Sequence, residues 1–91
     1  MAMHGRRITA VEDAFDLPEG KLYYTYNGLW HAGQFSRRQV EWAARTAIRD
    51  GVEVEFTTQA KLLRYVIRRH RWAALFRGFD AAAYRTVPPR R

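Results

Sequence analysis

The dipeptide Asn27-Gly28, set between Leu22-Tyr-Tyr-Thr-Tyr26 and Leu29-Trp-His-Ala32, constrains this chain more than any other feature. A type I′ turn needs positive φ at both central residues, and Asn followed by Gly tolerates that best, so residues 21–35 are expected to form a β-hairpin. A two-residue turn also fixes register. Tyr26 then faces Leu29 and Tyr24 faces His31. That pairing puts Leu22, Tyr24, Tyr26, Leu29 and His31 on one face, and Tyr23, Thr25, Trp30 and Ala32 on the other.

Helix signals follow. Ser36 and Gln39 match a capping box, and Phe35 with Val40 can form the hydrophobic staple that sets how the chain enters the helix. Gly51 suits the C′ position that closes it. Val40, Ala44, Ala47 and Ile48 recur at helical spacing and are expected to face the core, while Arg38, Trp42, Arg45 and Arg49 share another face. Val52-Glu-Val-Glu-Phe56 alternates like a strand with one buried side, and its glutamates guard an edge.

Thr57 or Thr58 then caps a second helix, expected to run unbroken to about Arg77 and stop at Gly78. Its apolar stripe is Leu62, Leu63, Val66, Ile67, His70 and Ala74. Lys61, Arg64, Arg68 and Arg71 form an opposite row, with Tyr65, Arg69, Trp72 and Phe76 along the flank. Upstream, Thr9-Ala-Val-Glu12 matches another capping box, so residues 1–20 read as an arm with a short helix near 10–16, ended by Pro18 and Gly20. The arm carries Glu12, Asp13, Asp16 and Glu19 and could lie against the basic part of the fold. Residues 85–91 read as a flexible basic tail.

The expected fold is therefore α+β: one small domain, 1–91, in the order α-β-β-α-β-α, with the hairpin and a third strand packed against two main helices. If the third strand neighbours the hairpin, the helix between them makes a right-handed crossover. With 47% hydrophobic residues the core is adequate for 91 residues. The formal net charge of +7 must sit on its surface.

Most of that charge falls between Thr57 and Phe79, where Lys61, Arg64, Arg68, Arg69, Arg71 and Arg77 occur without one acidic residue. A solvated helix normally interleaves acids at i±4, so the missing counter-charge argues for a bound anion. Arginine outnumbers lysine 14 to 2, which suits bidentate phosphate contacts, although a GC-rich genome gives the same bias. The candidate binding residues are Arg38, Trp42, Arg45, Arg49, Lys61, Arg64, Arg68, Arg69, Arg71 and Trp72. Of the two tryptophans, one is expected to be taken into the core.

Catalysis finds no recognisable cluster. Ser36, the single serine, is better used as a helix cap than as a nucleophile. His4, His31 and His70 lack zinc-site spacing, and there is no cysteine for a thiolate ligand, a disulfide or thiol chemistry. His31 opposite Tyr24 reads as a packing pair, and His70 as a hydrogen-bonded structural imidazole. The glycines read as turn and helix-end residues rather than a phosphate loop. No catalytic residue, metal or cofactor is expected.

The leading functional expectation is a non-enzymatic module that binds nucleic acid through its arginine and tryptophan faces, with weak base selection, since no Asn or Gln lies among the arginines from Arg64 to Arg77. The alternative is a protein-interaction adaptor or inhibitor docking an acidic surface of a host enzyme or nucleoprotein complex, of the kind phages and mobile elements encode, anti-CRISPR inhibitors included. A small anionic nucleotide held between the tyrosine-rich hairpin and the second helix is a third reading. No membrane partner is expected, because the apolar stripe is needed for the core. Met1-Ala-Met-His-Gly-Arg-Arg lacks the apolar run of a secretory signal, so a cytoplasmic location is expected; oligomeric state stays open.

Overall fold

The computed structural model describes residues 4–85. The elements run β1 (Arg6–Arg7), α1 (Val11–Phe15), β2 (Leu22–Tyr26), β3 (Leu29–Gly33), α2 (Arg37–Arg49), β4 (Glu55–Phe56), α3 (Gln59–Arg69), α4 (Arg71–Phe76) and a 3₁₀ turn, Ala81–Tyr84. The class is α+β. Of the expected tail, only Arg85 falls within the described residues.

The hairpin forms in the expected register, Leu22 opposite Gly33 through Tyr26 opposite Leu29. Asn27 and Gly28 adopt φ of 51° and 75°, the left-handed pair that a type I′ turn requires. The third strand departs from expectation. It is two residues long, and it pairs antiparallel with the arm, Arg6 opposite Phe56 and Arg7 opposite Glu55, leaving the hairpin as a separate sheet. The alternation that suggested a longer strand is only half used: Val52 and Phe56 are buried, but Val54 is exposed.

The arm is more integrated than an adapter. Its helix starts one residue later than the Thr9–Glu12 pattern implies, and Asp13 does the capping: its Oδ2 accepts from the Thr9 and Ala10 amides and from the Thr9 hydroxyl, each at 3.0 Å. The amide hydrogen bonds, that from Thr9 foremost, hold the Asp13 carboxyl below its ordinary pKa. Among the described residues no acid of the arm forms an ion pair with an arginine of the main helices; Asp13 and Asp16 are paired within the arm to Arg6. Further on, the carbonyls of Pro18 and Glu19 accept from the Gln59 and Ala60 amides at 2.9 Å, satisfying donors that the start of α3 would otherwise leave orphaned. Gly20 makes that approach possible: its φ is +68°, and a Cβ there would lie 2.7 Å from Thr58 Cβ.

Leu62, Leu63, Val66 and Ile67 of α3 are almost wholly buried, against Val40, Ala43, Ala44 and Ala47 of α2, with Leu22 of the hairpin in the same core cluster. Each large aliphatic side chain so buried contributes about 1.5–3 kcal/mol. The inward arc of α2 is turned toward Trp42 and away from Ile48. Trp42 is 9% exposed and Ile48 37%, the reverse of the expected faces, and Trp42 is the one of the two candidate tryptophans that enters the core.

Two helix ends explain that rotation. At Gly51 and Gly78 (φ 67° and 91°) the chain leaves α2 and α4 through Schellman motifs, closed by Val52 N–H to the Ala47 carbonyl and Phe79 N–H to the Ala74 carbonyl. Each motif delivers the following apolar residue inward. Phe79, 3% exposed, packs face to face with Trp42, ring centroids 6.3 Å apart.

Candidate functional site

The expected long second helix is broken. At His70, with φ −123° and ψ 68°, α3 ends and α4 begins on a new axis. No Gly or Pro marks the spot; a tertiary contact holds it. Asp50, at the C-cap of α2, hydrogen-bonds the His70 ring through Nε2. That bond is the main reason the Asp50 carboxyl stays below its usual range, with the His70, Arg49 and Arg69 charges adding to it. At its other end α4 is tied to the start of α2, where Gln39 Nε2 donates to the Arg77 carbonyl at 2.7 Å. Since Asp50 ends α2 and Gln39 begins it, α4 runs antiparallel to α2.

Between these two anchored helices lies an open groove of about 560 Å³. Arg38, Arg45 and Arg49 rise from α2, and Arg77 closes the far wall beside Phe76 and Ala73. Trp42 is the floor. Its burial removes it from the candidate stacking residues, because its ring already faces Phe79. Of the arginines, Arg45 meets Glu41 at 3.3 Å and Arg49 lies 3.9 Å from Asp50; Arg38 and Arg77 have no acidic partner within 4 Å among the described residues. The groove therefore keeps an excess of positive charge.

Beside it α4 turns Trp72, Leu75 and Phe76 to solvent, exposed by 76%, 55% and 82%. Trp72 and Phe76 sit at i and i+4, their rings 6.3 Å apart and inclined by 26°. The flank expected from an unbroken helix, Tyr65 through Phe76, is thereby divided. Tyr65 stays with α3, edge-on to Phe56 at 5.5 Å, where its hydroxyl accepts from Arg69.

The basic row of α3 faces a second groove. Lys61, Arg64, Arg68 and Arg69 line it together with Tyr65 and Phe56, in about 490 Å³ beside β4. Arg71, at the start of α4, is exposed and lines neither groove's described wall. The two basic grooves are separate, and Asp50 stands at their junction, 3.9 Å from Arg49 and 3.8 Å from Arg69. The counter-charge missing along the second helix is thus supplied in part by the end of the first.

The remaining candidates have structural employment. Ser36 Oγ accepts from the Gln39 amide, and Gln39 Oε1 accepts from the Ser36 amide, completing the capping box. His31 stacks on Tyr24 at 5.3 Å, and Tyr24 in turn meets Tyr84, so that hairpin face is occupied by the 3₁₀ turn. Among the described residues no three His, Asp or Glu side chains gather in a metal-holding arrangement. No described helix is long and apolar enough to cross a membrane.

Four groups that shape the site were absent from the sequence candidates: Arg77, Phe76, Gln39 and Asp50. Gln39 carried a signal, as the far half of a capping box, but its second bond to Arg77 is visible only in three dimensions. No protein-family model matches the chain, and no curated protein or solved structure matches it significantly.

Proposed function

We propose that the protein is a non-enzymatic nucleic-acid-binding module whose contact site is the groove between α2 and α4. The observation that carries this reading is convergence: Arg38, Arg45 and Arg49 from one helix and Arg77 from the end of another line a single groove instead of pointing apart. From Arg38 to Arg49, α2 rises about 16 Å, enough to follow several successive phosphates. Arginine's planar fork binds phosphate oxygens in pairs, so the four cations act as positioning contacts. Neutralising four phosphates gives a slope of log K against log salt of about −2.8 on a single strand and about −3.6 on a duplex.

Fluorescence anisotropy with labelled single-stranded and duplex oligonucleotides at two salt concentrations tests this. Binding that weakens with salt, and a slope reduced by about one in Arg77→Ala, is the expected result. Absence of binding at low salt refutes the reading.

A second reading, an acidic surface on a protein partner, draws on Leu75. An aliphatic side chain 55% exposed between two exposed rings and bordered by arginines is interface-like, since Trp and Arg anchor hot spots and Leu stacks on no base. A protein retained from host lysate after nuclease treatment, and lost with Trp72→Ala, would favour it.

A further inference from the structure

Resting on the nucleic-acid reading, we propose that Trp72 and Phe76 form a stacking platform for unpaired bases, so that the ligand of the α2–α4 groove is a single strand. Both rings are largely in water, at 76% and 82%. They are presented as a pair: one helical turn apart, near-parallel at 26°, on a helix pinned to α2 at both ends by His70 with Asp50 and by Gln39 with the Arg77 carbonyl. Such anchoring fixes the rings relative to the arginines. Phe76 and Arg77 both line the groove, so a strand whose phosphates lie along Arg38, Arg45 and Arg49 passes the rings with its bases.

The same features disfavour a duplex. Bases in a duplex are already stacked on each other, and reaching them with these rings would require unstacking. With six residues, α4 is too short to read a major groove as a recognition helix does, and no Asn or Gln stands on it to contact base edges. Stacking asks for neither, because every base has a π face. The bordering cations complement a phosphate chain.

The experiment compares three ligands on the full chain at one low salt concentration: an oligothymidine of about 15 nucleotides, an abasic oligonucleotide of equal length and charge, and a blunt duplex. Tighter binding of oligothymidine than of the abasic strand is expected, by about 5- to 150-fold per stacked base. Trp72→Ala should reduce that difference by about 5- to 150-fold, the share of one stacked base, and Trp72→Phe should keep most of it; thermal melts confirm that each variant is folded. Equal affinity for the thymidine and abasic strands overturns the platform while leaving the arginine groove standing. Preference for the duplex overturns it as well. Failure of all three to bind overturns the nucleic-acid reading itself.

Discussion

Trp42 and Trp72, both candidates in the sequence, separate cleanly on substitution. Trp42 is 9% exposed and stacked on Phe79; removing its side chain leaves a cavity at the base of the groove. Truncating a buried tryptophan costs about 3–5 kcal/mol. A chain of this size has about 5–14 kcal/mol of total stability at typical per-residue values, so Trp42→Ala removes a large share of it. At about 4–8 °C per kcal/mol, the midpoint of thermal unfolding falls by at least about 12 °C. Trp72, 76% exposed, lies in none of these contacts, and Trp72→Ala should stay within about 0.5 kcal/mol of the parent. Its effect appears in binding, where losing one stacked base costs about 1–3 kcal/mol. Circular dichroism melts and oligonucleotide anisotropy on the two variants supply both readings. If Trp72→Ala melts as early as Trp42→Ala, or Trp42→Ala melts with the parent, the division into floor and platform is wrong.

Three further outcomes follow from the same geometry. Gly20→Ala puts a Cβ against Thr58 at positive φ, and should destabilise by more than about 1 kcal/mol in urea unfolding, whereas Gly28→Ala meets no atom within 4 Å and bears only the backbone strain. Gln39→Ala loses both a capping bond and the tie to Arg77; a cost of about 1–2 kcal/mol is expected, together with weaker oligonucleotide binding as α4 loosens. The Asp13 and Asp50 carboxyls are held below their ordinary 3.8, Asp13 chiefly by the Thr9 amide and Asp50 chiefly by the His70 ring. Their contribution is therefore complete above that value and lost as the pH falls through the lowered folded-state pKa values, so urea midpoints should drop below about pH 4, with a shallower decline in Asp50→Asn.

What the sequence disclosed was what local chemistry decides. Asn27-Gly28 set the hairpin and its register, Ser36 with Gln39 began one helix, Thr58 began the next, and Leu62, Leu63, Val66 and Ile67 named the buried stripe. What stayed hidden was decided across distance. The break at His70 has no local signature, since Arg69-His-Arg71 reads as continuous helix; it is held by Asp50, 20 residues away. The partner of β4 is a dipeptide of two arginines, which no strand propensity would select. The burial of Trp42 depends on Phe79, delivered by a helix end that the sequence marks only with Gly78. Those three long-range contacts reorganise the site. They break the second helix, bring Arg77 to the basic face of α2, and put the exposed rings beside that groove.

The chain's three tryptophans report the central claim together. Trp30 lies on the hairpin, Trp42 under the groove and Trp72 on α4 beside it, and each indole N–H gives one cross-peak in a ¹⁵N-labelled sample. On titration with oligothymidine the Trp72 indole should shift far more than the other two. A shift led by Trp30, or saturable binding that leaves the Trp72 indole unmoved, would contradict the placement of the site between α2 and α4.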